Sequence, residues 1–283
     1  MDTSASEPIA ERQIRVQRHG VAVRLTHWLN ALCLMMLLAS GLQIFNAHPR
    51  LYVGKFGADH ETPIIEITSE GSKDTIRGKA RLGGLSVDTT GFLGASKEDG
   101  VVVARAFPSW LTLPSYHDLG AGRRLHFTFA WLLVINGLLY MAHGFWSEHF
   151  RRDLLPTKDQ VSRRHLWQEI KDHARLRFAR GEEARRYNAL QKMTYLIVAF
   201  VLLPLMVASG LAMSPAIDAA FPVLPELLGG RATARTLHFL TAFSLVAFVV
   251  VHLVMVAVSG VWNNLRSMIT GRYAIAVDGG AQC

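Results

Sequence analysis

Four long apolar runs dominate the chain, at Leu25–Phe45, Phe127–Trp146, Met193–Met213 and Leu237–Val258, and none contains Lys, Arg, Asp or Glu. About 20 apolar residues of helix cross a bilayer. The pattern therefore predicts an all-α integral membrane protein, a bundle of four transmembrane helices with a long loop between the first two. Basic residues precede the first run as they would a signal peptide. That run is too long for a signal core and no small-x-small cleavage site follows it, so it is read as an anchor. The third run contains Pro204, whose missing N–H predicts a kink at mid-span.

The connections differ in character. Residues 46–122 are rich in Gly and broken by Pro49, Pro63, Pro108 and Pro114, with short strand patterns at Ile64–Thr68 and Val101–Phe107. A connection of that length is read as a small cap that seats a partner, or else as an insertion without chemistry. Residues 147–192 hold an amphipathic stretch, Ser162 to Arg180, with Leu166, Ile170, Ala174 and Phe178 on one face. Basic residues surround that face, as expected of a helix lying on anionic lipid rather than on nucleic acid.

Charge sets orientation. The formal net charge is +8, and the 147–192 segment carries twelve Lys or Arg against seven acids. The loop between the last two runs carries only Arg231 and Arg235. The rule that basic loops stay inside predicts both termini and 147–192 in the cytoplasm, and 46–122 and 214–234 in the periplasm, of a bacterial inner membrane.

Histidine carries the candidate chemistry. Three runs are entered through Arg-x-x-His: Arg24 to His27, Arg123 to His126 and Arg235 to His238, with His252 further along the last run. A polar ring in hydrocarbon needs a partner, and several at matching depths point to a shared ligand, haem. His238 and His252 are fourteen residues apart, almost four whole turns and about 21 Å of helix rise. One face of the last span thus offers two ligands, His238 pairing with His126 and His252 with His27. Two imidazoles fill the coordination sphere of an iron, which suits electron transfer. Cys33 and Cys283 are the only cysteines and no Cys-x-x-Cys-His occurs, so both haems would be b-type and non-covalent.

Arg24, Arg123 and Arg235 lie one turn before their histidines, where haem propionates would emerge, although arginines at membrane ends also snorkel to headgroups. Gly41 and Gly137 fall on the ligand faces of their helices and would make room for a macrocycle. His143 is open between three roles: ligand in place of His27, part of a quinone pocket with Asn30 or Asn136, or interfacial bystander. His19, His48, His60, His117, His149, His165 and His173 fall in loops or ends and are read as solvated. The HxxxH and HxxHH spacings of di-iron oxygenases are absent.

The pieces RLTHWLNAL, RRLHFTFAWLLVINGLLY and RTLHFL…VVHLVMV resemble the bacterial cytochrome b561 family and the cytochrome b subunits of nickel-iron hydrogenases, formate dehydrogenases and thiosulfate reductases. The resemblance implies a di-haem relay between the quinone pool and a periplasmic redox partner, often a molybdopterin oxidoreductase. Such a chain is an electron-transfer subunit rather than a catalyst alone. It implies the ligand pairs His126 with His238 and His27 with His252. The alternatives are a stand-alone quinone-linked superoxide oxidase and, in a different class, a histidine-relay proton or ion transporter.

Overall fold

The computed structural model describes residues 12–57, 61–72, 75–148, 150–156, 160, 162–174 and 189–277. In chain order the helices are α1 (Val21–Phe45), α2 (Leu119–Trp146), α3 (Arg163–Ala174), α4 (Ala189–Ile197), α5 (Leu203–Ala212), α6 (Pro215–Ala220), α7 (Val223–Leu227), α8 (Arg231–Val258) and α9 (Val261–Thr270). Four stretches are long and apolar enough to cross a membrane: α1, α2, the combined Ala189–Ala212 segment, and α8. Most of their residues are not covered by protein, as expected of surfaces whose solvent is lipid.

Three spans begin earlier than their apolar runs. Helix α1 starts at Val21 rather than Leu25, α2 at Leu119 rather than Phe127, and α8 at Arg231 rather than Leu237. Helical hydrogen bonding continues past the edge of the apolar core into the Arg-x-x-His turns. The start of α2 is capped by Asp118, whose carboxylate accepts the Ala121 N–H at 2.8 Å. In the third span the break takes the form of a π-helical turn, Val198–Leu202, between α4 and α5. It lies directly before Pro204, whose ring cannot donate to the ladder and crowds the preceding turn.

The helical membrane expectation holds for the spans, but the chain is not helical throughout, because eight strands occur among the described residues. Six of them lie in the connection between α1 and α2: β2 (Arg50–Leu51), β3 (Ile65–Glu70), β4 (Arg77–Leu82), β5 (Leu85–Asp88), β6 (Gly94–Glu98) and β7 (Val101–Arg105). They form an antiparallel four-stranded sheet in the order β2-β3-β4-β5 and a separate β6-β7 hairpin. Hydropathy missed most of these strands because their residues are largely polar and their pairings are non-local. Glycine permits the close approach of sheet and hairpin: a Cβ on Gly78 would sit 1.9 Å from the Leu93 carbonyl oxygen. The other two strands, β1 (Arg12–Gln17) and β8 (Arg272–Val277), pair antiparallel and join the two ends of the chain.

The chain divides into two compact units. One comprises Trp28–Leu139 and Val198–Ala247, and so contains the β-rich cap. Its core gathers Leu42 and Phe45 from α1 with Leu51, Ile67, Ala106 and Phe107 from the cap, and Phe239 of α8 packs against them. The cap also holds a buried carboxylate, Glu66, which accepts from Arg50 at 2.6 Å and Arg81 at 3.2 Å. Arg105 is 4% exposed. It donates to the side chain of Gln43 at the end of α1, to Thr112 Oγ1 at 2.7 Å and to the Ser115 carbonyl at 2.5 Å. Burial pushes its guanidinium below the ordinary arginine value, and the nearby Glu98 carboxylate opposes the shift. A buried charge is tolerable only when it is hydrogen-bonded, so this network fastens the cap to the helix.

The other unit comprises the described parts of 1–27, 140–197 and 248–283. The Glu169 carboxylate of α3 accepts the Ala189 and Leu190 N–H groups at 3.1 and 2.8 Å, an anion at the start of α4. Of the amphipathic stretch, α3 carries Trp167 and Ile170 exposed, whereas residues 175–180 lie outside the described residues.

Gln43→Met should leave the Arg105 guanidinium short of a buried acceptor and cost about 1.5–3 kcal/mol. The check is limited proteolysis of the detergent-solubilised protein, with faster cleavage between residues 50 and 115 expected.

Candidate functional site

His126 (α2) and His238 (α8) lie opposite one another, with ring centroids 6.2 Å apart and planes at 63°. The other unit holds a second pair of the same dimensions, His27 (α1) and His252 (α8), with centroids 6.2 Å apart and planes at 60°. A metal–imidazole nitrogen bond is about 2.0 Å and the ring centre lies roughly 1.1 Å beyond the nitrogen. Two imidazoles holding one metal ion between them, as His126 with His238 or His27 with His252 would, could therefore have centres up to about 6.2 Å apart. Both pairs meet that requirement.

The His126–His238 pair is held by a repeated device. Ser40 of α1 lies 3.1 Å from His126 Nδ1, and Ser209 of α5 lies 3.1 Å from His238 Nδ1. Each serine donates its own proton to the carbonyl four residues back, Met36 and Leu205, at 2.6 Å. The hydroxyl oxygen is then left to accept, so the ring nitrogen donates. At His238 the assignment is independent, because Nδ1 also lies 3.0 Å from the Met206 carbonyl oxygen, which can only accept. With the proton on Nδ1, the Nε2 lone pair is available to a metal.

The next residue in each helix is glycine, and each faces the same ring. A Cβ on Gly41 would meet His126 Cε1 at 3.3 Å, and one on Gly210 would meet His238 Cε1 at 3.2 Å. Gly41 thus admits the histidine ring. Gly137 is different, since a Cβ there would meet open space within 4 Å. Ser40, Ser209 and Gly210 were not singled out from sequence. The available signal was the repeat Ala-Ser-Gly-Leu, at 39–42 and again at 208–211.

In the second pair, Phe248 stacks on His252 at 5.9 Å with planes 25° apart. The ring facing His252 belongs to His27, whereas His143 is exposed at the end of α2. Asn136 is buried and donates to Asn30 Oδ1 at 2.7 Å, a polar tie between α1 and α2. His48 is exposed and stacks near Tyr52, with ring centroids 6.2 Å apart. The side chains of His165 and His173, with His60 and His149 entire, lie outside the described residues.

The three arginines diverge. Arg24 donates to the Ile269 carbonyl of α9, and its Nε is buried without a hydrogen-bond partner. Arg235 donates to the His48 carbonyl and lies over the Phe45 ring at 5.8 Å. Arg123 is exposed and lies over Phe127 at 5.8 Å.

Paired imidazoles on apolar spanning helices are the donor set of a membrane cytochrome of the b type. The sequence profile of prokaryotic cytochrome b561 matches residues 18–271, and the chain belongs to that family. It is accordingly a haem-b-binding membrane protein. It is 35% identical over 164 residues to the putative protein-methionine-sulfoxide reductase subunit YedZ1 of Azospira oryzae, a match covering 58% of this chain and 77% of that protein.

Gly210→Ala and Gly41→Ala should each force a pinned ring to give by a few tenths of an ångström, lowering haem occupancy moderately. Gly210→Val should lower it severely. The ratio of Soret to protein absorbance after purification measures both.

Proposed function

We propose that the chain is a di-haem electron relay serving as the membrane subunit of an oxidoreductase. The observation that carries this is the two histidine pairs with equal 6.2 Å separations. In this reading His126 and His238 hold one haem b and His27 and His252 the other. Arg24, Arg123 and Arg235 are candidate propionate partners at the two ends, and the open space at Gly137 suits a macrocycle edge. The four spans form a bundle in the bacterial inner membrane, with termini in the cytoplasm and the β-rich cap in the periplasm.

When bound, the haems supply one-electron transfer. The chain's residues hold His126 and His238 as the Nδ1–H tautomer, exclude water with the Phe45, Phe107 and Phe239 core, and present a folded cap above the His126–His238 end. The relay runs between the quinone pool and a periplasmic partner; the relative's name supports a reductase in that place, and the family resemblance suggests one of the molybdopterin type. Haem b binding also separates this reading from a histidine-relay transporter.

A dithionite-reduced-minus-oxidised spectrum with pyridine haemochrome quantification should give two haems b per chain. His238→Ala and His252→Ala should each retain one, and the double variant none. His143→Ala should retain both. A variant of His238 or His252 that keeps two haems overturns the pairing.

A further inference from the structure

Two guanidinium groups in the unit that holds His27 and His252 have buried nitrogens with no hydrogen-bond partner: Arg24 Nε and Arg266 Nε. Both involve α9. Arg24, in the first turns of α1, donates to the carbonyl of Ile269 on α9, and Arg266 stands on α9 three residues before Ile269. Arg266 is oriented by a second contact, since its terminal nitrogen donates to Asn263 Oδ1 at 2.7 Å. Asn263 is itself fixed, exchanging hydrogen bonds with the Ala274 N–H at 2.9 Å and the Ala274 carbonyl at 2.8 Å. The strand pair β1-β8 thus steadies the helix that presents Arg266.

Among the described residues no carboxylate pairs with either group. Two like charges, one on α9 and one against its last turn, each keeping a desolvated donor unused among the described residues, are unfavourable unless an anion meets them. Guanidinium donors fit an oxyanion with two or more oxygens. Arg24 is also three residues from His27, on the same helix face.

We propose that Arg24 and Arg266 form an oxyanion seat, with α9 as the element that closes it. The two sources of that chemistry are a carboxylate of the haem held by His27 and His252, which rests on the reading above, and the phosphate of a tightly held anionic lipid. The inference extends the site beyond the four spans, to a residue that no ligand pattern marks.

The test uses the full chain in nanodiscs containing phosphatidylglycerol. Haem content of the unaltered protein is measured first, which tests the di-haem reading separately. Arg266→Gln is then compared by optical redox titration and by native mass spectrometry of retained lipid. If the seat holds a haem carboxylate, loss of the positive charge lowers the midpoint potential of one haem, and Arg266→Lys restores most of it. If it holds a lipid phosphate, one retained phosphatidylglycerol is lost while both potentials stay in place. A chain with normal haem content whose Arg266→Gln variant changes neither potentials nor lipid overturns the proposal. Should Arg266→Gln fail to fold, Arg24→Gln takes its place, with a change in either readout as the supporting result and no change as the overturning one.

Discussion

An imidazole buried in an apolar helix pair has two nitrogens to satisfy, and much of the site follows from how each is used. At His126 and His238 the Nδ1 proton goes to a serine hydroxyl that has already spent its own proton on its helix. That leaves Nε2 as a lone pair in a medium without water, a costly arrangement unless something electrophilic accepts it. The same demand fixes the neighbours. The supporting helix must come close enough for a 3.1 Å contact, and glycine is the residue that lets it do so.

The cap contributes through the ends of the helices rather than through the rings. Thr236, two residues before His238, donates to the Tyr52 carbonyl at 2.6 Å, and Thr233 Oγ1 accepts the Gly54 N–H at 2.8 Å. Gln43, two residues after Gly41, is held by Arg105. The segment between the first two spans therefore braces the entry of α8 and the exit of α1, the helices that carry His238 and the Ser40–Gly41 pair. A long connection that looked separable from the chemistry is tied to the frame that sets it.

Family membership and ring geometry bear on different questions. The family makes the chain a haem-b membrane protein over nearly its whole length. The geometry addresses which rings meet, and it treats the two pairs unequally: the His126–His238 pair has the duplicated Ser–Gly support, while the His27–His252 pair has Phe248 stacked against one ring. Different surroundings for chemically similar ligands are one way a protein gives two haems different potentials.

The spans and the four histidines were legible in the residues alone because both depend on local rules. An apolar run of sufficient length must be helical to satisfy its backbone, and a fourteen-residue spacing returns to the same face of any helix. The strands of the cap, the Ser–Gly cradle and the role of Gly41 were decided by tertiary structure. Strand pairs such as Ile67 with Ala80 are non-local and carry little hydropathy signal. Whether a helical glycine admits a ring depends on what another helix places against it: a Cβ on Gly41 would meet His126, and one on Gly137 would meet nothing within 4 Å. Sequence set which residues could serve, and packing chose the partners, because contacts between distant segments are fixed only when the chain is folded.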